Sequence, residues 1–362
     1  MSTKTYKYRR IAVKIGSNVL TISNGTLDTE RMQKLVEQIS ELHKNEVEVI
    51  LISSGAVASG RSEITPRKKL DSVEIRQLFS AIGQVKLINN YYELFREKGI
   101  VCGQVLTTKE NFGTRRHYLN QKQCMEVMLE NGVIPIVNEN DTISVTELMF
   151  TDNDELSGLI ATMMDVDALI ILSNIDGIFD GDPSLSSTNL IYEVKPNQNL
   201  GQYIQTTKSS FGRGGMLTKC KIARQVAREG IPVYIANGKS DDILTQILTE
   251  TTRTYTKFLS DEKSPSSVKK WIAHSRDFAK GSIIINQGAK NALLSNVAHS
   301  LLPIGVVKIV GEFQKHDIVT IIDENGQPIG VGKIEFDNEK SRLLMGKPHQ
   351  KPLIHYDYLC LF

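Results

Sequence analysis

The sequence has no paired cysteine spacing, no long apolar run and almost no net charge, and each absence removes a class of protein. Its four cysteines, Cys102, Cys124, Cys220 and Cys360, lie far apart. That excludes a CxxC metal or redox motif and argues against a disulfide framework, so reduced thiols in a cytoplasmic protein are the expectation. No stretch reaches the roughly 18 apolar residues of a membrane span, and the polar, basic residues 1–10 lack the apolar core of a signal peptide. With 43 basic and 41 acidic residues the formal net charge is +2, well short of a global nucleic-acid or membrane footprint. Internal repeats and low-complexity tracts are also missing.

What remains is ordinary globular composition, with 40% apolar and 23% charged residues, and no excess of charge that would predict disorder. A chain of 362 residues predicts two domains, one large and one small. From Ile11 the pattern alternates strand, turn and helix. Strands are expected at 11–15, 47–53, 101–106, 133–138, 168–172 and 233–236. Helices are expected over 30–44, with Asp28 or Thr29 as N-cap, and over 154–164 and 216–229. Such alternation predicts an α/β fold, a mainly parallel open sheet sandwiched by helices, with ligands beyond the carboxyl ends of its strands. Polar residues around 254–268 read as a linker between a catalytic domain at 1–253 and a domain at 269–362. In the latter, short strands at 282–286, 306–310, 318–322 and 329–336, punctuated by Gly, Pro and Asn-Gly, predict a small β-rich fold.

Four features carry chemistry. Lys14 sits inside an apolar strand, where its ammonium must reach solvent, a partner charge or a ligand. Gly16 and Ser54-Gly55 end the first two strands, as plain turns or as places where a ligand approaches the backbone. Asn138-Glu-Asn-Asp141 follows a strand, and Asp152-Asn-Asp154 heads a helix; capping explains part of this polarity, but binding an ammonium group and positioning a cation explain it as well. Phe211-Gly-Arg-Gly-Gly-Met-Leu-Thr-Lys219 lacks the GK[ST] ending of a Walker loop and a dinucleotide fingerprint. It is either a surface loop or a glycine turn, helix N-terminus and lysine suited to phosphate.

In order along the chain, Val13-Lys-Ile-Gly-Ser17, Ser53-Ser-Gly-Ala-Val57, Ile82-Gly-Gln84, Val137-Asn-Glu-Asn-Asp141, Asp152-Asn-Asp154 and Gly214-Gly-Met-Leu-Thr-Lys219 resemble the motifs of the amino acid kinase family. Within it they resemble the members that phosphorylate the side chain of free glutamate. Leu301-Leu-Pro-Ile-Gly-Val306 and Val310-Gly-Glu-Phe313 resemble a PUA domain. The resemblance implies an enzyme that uses ATP and Mg²⁺ to make L-glutamyl 5-phosphate from L-glutamate, the first step of proline biosynthesis, with proline as feedback inhibitor. It implies glutamate-5-semialdehyde dehydrogenase as functional partner and assembly as a homo-oligomer.

Residue by residue, it implies that Lys14 and Lys219 flank the transferring phosphoryl group and that Asp154 orients them. Gly16, Ser17 and Gly55 would donate backbone amides to phosphates, and Ser54, Asp141 and Asn153 would hold glutamate. Ser173, Asn174, Arg213, Gly214, Gly215, Met216, Leu217, Thr218 and Lys219 would line the ATP site, with no metal ligand assigned to the protein. The chain departs from the family at Ser173-Asn174, where Thr-Asp is common, and at Gly212-Arg-Gly-Gly215, where Gly-Thr-Gly-Gly is. A glutamate carboxylate, with a reference pKa of about 4.3, is already ionised near neutrality, so no general base is required and the seven histidines need no catalytic role. Rival readings are a kinase of the same fold acting on N-acetylglutamate, aspartate, carbamate or a nucleoside monophosphate, and a catalytically dead sensor. Residues 263–362 hold 13 basic and 9 acidic residues, a net of +4 that leaves −2 for the rest. That bias supports RNA binding by the PUA-like domain only weakly; a regulatory or assembly role is the expectation there.

Overall fold

The protein is described by a computed structural model, which covers residues 6–143, 150, 153–182, 187–196, 198, 200, 215–261, 267–295 and 297–362. The chain divides into two compact units, Met1–Lys109 with Asn120–Ser264, and Glu110–Leu119 with Pro265–Phe362. The strands are β1 (Arg10–Ile15), β2 (Glu48–Ser53), β3 (Val101–Thr107), β4 (Val133–Glu139), β5 (Ala168–Ser173), β6 (Glu193–Val194), β7 (Val233–Asn237), β8 (Tyr255–Phe258), β9 (Gly281–Ile285), β10 (Val306–Gly311), β11 (Ile318–Asp323), β12 (Pro328–Lys333) and β13 (Leu359–Leu361). The helices are α1 (Ser17–Leu20), α2 (Thr29–Lys44), α3 (Ala56–Arg61), α4 (Ser72–Glu97), α5 (Glu110–Gly113), α6 (Arg115–Glu130), α7 (Asn153–Met163), α8 (Met216–Arg228), α9 (Ile243–Leu248), α10 (Ser267–His274), α11 (Gln287–Leu293) and α12 (Asn338–Leu344).

In the first unit, eight strands run in the order β3-β4-β2-β1-β5-β7-β8-β6, all parallel to their neighbours except at β7–β8. The central strands β1 and β5 are buried almost end to end, because helices cover both faces and neither strand can alternate with polar residues. The pleat separates the faces of β1. Ile11, Val13 and Ile15 join a core with Leu35 and Ile39 of α2, Leu87 and Tyr91 of α4 and Ile247 of α9. Ala12 and Lys14 face the other way, toward α7, which packs on β1 and β5. From β1 the chain builds outward to β2, and it later returns to β5 on the opposite side. The sheet order therefore reverses at β1, and the crevice beyond the carboxyl ends of β1 and β5 is the place where such folds hold ligands.

Helix starts follow local chemistry. The Asp28 side chain accepts from the Arg31 amide at the head of α2, and Asp71 with Glu74 forms a reciprocal capping box on α4. Helices α3 and α4 meet backbone to backbone. A Cβ on Gly83 would lie 1.8 Å from the Ala56 carbonyl oxygen, and one on Gly60 1.9 Å from that of Phe79. Gly83→Ala is therefore expected to cost at least about 1–3 kcal/mol by overpacking. Calorimetry would register it as a fall in Tm of roughly 2–4 °C per kcal/mol; an unchanged Tm would mean that the crossing yields freely.

The stretch 254–268, expected to be a linker, contains β8 and the first residues of α10. Thr256 and Phe258 are buried while Tyr255 and Lys257 are not, so this four-residue strand alternates too briefly to stand out in a polar neighbourhood. The first unit accordingly runs on through Ser264, and residues 110–119 group with the C-terminal unit.

The second unit is built on a five-stranded sheet in the order β10-β9-β11-β12-β13, with β9 and β11 parallel and the other pairs antiparallel. Ile283, Ile285, Phe313, Val319 and Ile321 form its core. The β11–β12 hairpin turns on Asn325-Gly326, where Gly326 has φ +80° and the Asp323 carboxylate accepts the amides of Asn325 and Gln327. The sole tryptophan, Trp271, donates its indole N–H to the Phe112 carbonyl at 3.2 Å within this unit.

Candidate active site

Three elements bring three charges together beyond the ends of β1 and β5. Lys14 is the penultimate residue of β1, Asp154 lies in the first turn of α7, and Lys219 in the first turn of α8. One carboxylate bridges the two ammonium groups: Lys14 Nζ lies 2.5 Å from Asp154 Oδ1, and Lys219 Nζ donates to Asp154 Oδ2 at 2.9 Å. The bridge is desolvated, with Asp154 exposed to 1% and Lys14 to 4%. Burial is the largest influence on the Asp154 carboxyl and pushes its pKa up, but Lys14 and Lys219 together outweigh it and hold the group below the usual carboxylate range. The start of α7 favours the same charge state through the helix dipole. Two cations on one anion leave the trio with a net positive charge, in a low-dielectric setting where it acts strongly on an incoming anion.

Gly16 plays a different part from the one expected of it. Its amide does not point outward to a phosphate but donates to the Leu172 carbonyl at 3.0 Å, tying the end of β1 to β5. A Cβ on Gly16 would sit 3.1 Å from that carbonyl oxygen and 3.6 Å from Lys14 Nζ. Its missing side chain therefore keeps space open beside the ammonium. Ser17 opens the short helix α1. Gly55 turns the chain from β2 into α3 at φ +111°, a conformation that a β-carbon disfavours. Ser54 and Asn153, expected to act together, do meet: Asn153 Nδ2 donates to Ser54 Oγ at 2.9 Å.

Beyond β4, Asp141 is held by a residue that sequence motifs do not single out. Arg76 of α4 donates through Nε to Asp141 Oδ1 at 2.6 Å, and its Nη2 lies 3.2 Å from Glu139 Oε2. Asn138 Nδ2 donates to Gln84 Oε1 at 2.9 Å. Arg76, Ser80 and Gln84 are four residues apart and share one helical face. The signal that could have found Arg76 is its spacing from the Ile82-Gly-Gln84 motif.

On the opposite flank, the Ser173 carbonyl accepts from the Gly238 amide at 2.8 Å and its hydroxyl bonds to Ile175, while Asn174 is exposed just past β5. Gly215 is the N-cap of α8 and supplies no side-chain cap, so the amides of Met216, Leu217 and Thr218 in the first turn suit an anion beside Lys219. Arg213 and Gly214, and Asp152 of the acidic motif, lie outside the described residues. Asn237, which donates to Asp176 Oδ1 at 3.0 Å, adds a polar pair at the ends of β5 and β7 that no motif announces. Among the described residues no cluster of three or more His, Cys, Asp or Glu side chains is fit to hold a metal, and Asp154 spends both oxygens on lysines.

Known proteins share this arrangement of elements. Residues 9–237 match the amino acid kinase family and residues 281–355 the PUA domain. The chain is 66% identical to a protein of Bacteroides thetaiotaomicron named glutamate 5-kinase, over 98% of both chains. It is 48% identical to one of the same name from Chlorobaculum tepidum, over 100% of this chain and 99% of that one. Among solved structures, carbamate kinase from Giardia lamblia bound to AMP-PNP has a TM-score of 0.52 at 15% identity, covering 70% of this chain and 99% of its own; at that identity the likeness speaks for the fold alone. No helix among the described residues is long and apolar enough to cross a membrane.

Proposed function

This chain belongs to the amino acid kinase family, among the glutamate 5-kinases, and on that premise we propose that it transfers the γ-phosphoryl group of ATP to the side-chain carboxylate of free L-glutamate. The product is L-glutamyl 5-phosphate, the first intermediate of proline biosynthesis. The observation that carries this reading is the bridge Lys14–Asp154–Lys219. A carboxylate oxygen forms the new bond to the γ-phosphorus as the bond from that phosphorus to the β–γ bridging oxygen breaks, and ADP leaves. Both reactants are anions, so the barrier lies in bringing them together and in the charge spread over the phosphoryl oxygens. Lys14 and Lys219 meet that charge, and Asp154 keeps both ammonium groups in place without becoming a base.

The first-turn amides of α8, with Gly55 and Ser17, serve the phosphates. Ser173-Asn174 and Arg213-Gly214-Gly215 serve the rest of the nucleotide, and Ser54, Asn153 and Asp141 serve glutamate. Mg²⁺ would accompany the nucleotide and neutralise part of its phosphate charge, with no ligand on the protein assigned to it. An acyl phosphate is labile in water, which favours prompt reduction by glutamate-5-semialdehyde dehydrogenase. Proline as feedback inhibitor, homo-oligomeric assembly and a regulatory role for the PUA domain belong to the same proposal. ADP release measured with MgATP and a panel of acceptors tests it. Glutamate is expected to support turnover that proline suppresses, whereas turnover only with N-acetylglutamate, aspartate, carbamate or UMP would overturn it.

A further inference from the structure

We infer that Arg76 reads the α-carboxylate of the amino-acid substrate, while Asp141 and Glu139 beside it take the α-ammonium; this rests on the reading of the chain as a glutamate-phosphorylating kinase. Strand register supplies the first argument. Lys14 of β1 is level with Ile52 of β2, and Ile52 is level with Val137 of β4. The charged groups just past β4 therefore lie two strands over from Lys14, at the same end of the sheet. Two strand spacings are about 9–10 Å. Glutamate measures about 5 Å from its side-chain carboxyl to its α-substituents, and a hydrogen bond of about 3 Å at each end brings the span to a similar length. Asp141 stands four residues beyond Val137, past the end of β4, so a substrate whose reacting carboxylate lies in front of Lys14 can point its α-groups toward the Asp141 flank.

The chemistry of the cluster supplies the second. Arg76 Nε donates to Asp141 Oδ1 at 2.6 Å, and Nη2 is within 3.2 Å of Glu139 Oε2 and also contacts Asp141. An α-amino acid head carries one positive and one negative charge on the same carbon. A guanidinium set against two carboxylates is its complement, with a planar fork that matches a carboxylate bidentately. The side chains of Arg76, Glu139 and Asp141 are only 12%, 6% and 12% exposed. Buried ion pairs of this kind are poor stabilisers compared with apolar side chains of the same volume. Recognition of a zwitterion accounts for them better than stability does.

Two truncated substrates separate the roles. Glutarate lacks the α-ammonium and 4-aminobutyrate lacks the α-carboxylate, while both keep the reacting carboxylate. In Arg76→Gln, the KM for glutamate should rise by roughly 10–100-fold, the scale of one charge-assisted hydrogen bond, with kcat and the KM for ATP nearly unchanged. The preference for glutamate over 4-aminobutyrate should shrink by the same factor, the preference over glutarate should persist, and Arg76→Lys should recover part of the loss. A parallel fall with glutamate and 4-aminobutyrate would overturn the inference. So would collapse of the glutarate preference instead, because Arg76 would then act only by positioning Asp141. Should Arg76→Gln fail to fold, wild-type protein decides: glutamate should raise its Tm in the absence of ATP and 4-aminobutyrate should not, and equal shifts would contradict the assignment. If wild-type protein turns over no glutamate at all, the proposed reaction fails; if it does and only these preferences stay fixed, the role of Arg76 alone fails.

Discussion

Replacing Lys14 or Lys219 with alanine is expected to lower kcat by on the order of 10²–10³, the scale of losing one preorganised electrostatic donor. The KM for glutamate should change less in Lys219→Ala than in Lys14→Ala, because only the Lys14 ammonium is placed against the reacting carboxylate. The two variants should differ in stability. Lys14 is almost fully buried and Lys219 stands at the mouth of the site, with 5% and 13% of their side chains exposed. Lys14→Ala leaves a cavity beside a buried carboxylate that keeps only one of its two lysines, so its Tm should fall more than that of Lys219→Ala. Steady-state kinetics and calorimetry on both purified variants check this. Near-normal turnover in either folded variant would remove that lysine from phosphoryl transfer.

Asp154→Asn is expected to be at least as damaging, for a different reason. The amide keeps the shape of the carboxylate but leaves two neighbouring ammonium groups without their shared counter-charge, one of them buried. Breaking a buried ion pair by removing one partner costs about 3–5 kcal/mol, and lysines driven apart no longer converge on the phosphoryl group. The pH dependence follows from the lowered pKa of Asp154. A carboxyl with a folded pKa below its unfolded value of about 4 stabilises the protein fully above that value. The contribution is lost as pH falls through the folded value. The gap in Tm between wild type and Asp154→Asn should therefore be widest near neutrality and close in acid. A gap that stays constant down to the acid range would show that the Asp154 charge is not what holds the lysines.

Much of this site is legible in the amino-acid sequence, because its signals are local. A lysine within Ile11-Ala-Val-Lys-Ile15 must be accounted for, and the pleat that buries Val13 and Ile15 in the core of β1 is what turns Lys14 toward α7. The strands of the parallel sheet declare themselves as short β-branched runs ending in glycine or polar residues. Other features depend on the fold and leave no local trace. The amide of Gly16 looks free in the sequence, because only the pairing of β1 with β5 supplies the Leu172 carbonyl that takes it. Helix α4 shows weak amphipathicity, since its buried stripe of Phe79, Gly83, Leu87, Tyr91 and Phe95 includes a glycine that serves a backbone crossing. Arg76 meets Asp141 across 65 residues of sequence; its helical spacing from Gln84 marks the face it shares, but not the partner that the fold brings to it.

Attack of a glutamate carboxylate oxygen on the γ-phosphorus of ATP is the central claim. It is tested most directly by L-glutamate labelled with ¹⁸O in its side-chain carboxylate, incubated with MgATP, the protein and hydroxylamine. Hydroxylamine attacks the carbonyl carbon of an acyl phosphate, so the phosphate departs with the former carboxylate oxygen. The predicted result is glutamyl hydroxamate together with inorganic phosphate carrying one ¹⁸O; phosphate released without label, or no hydroxamate, would contradict it.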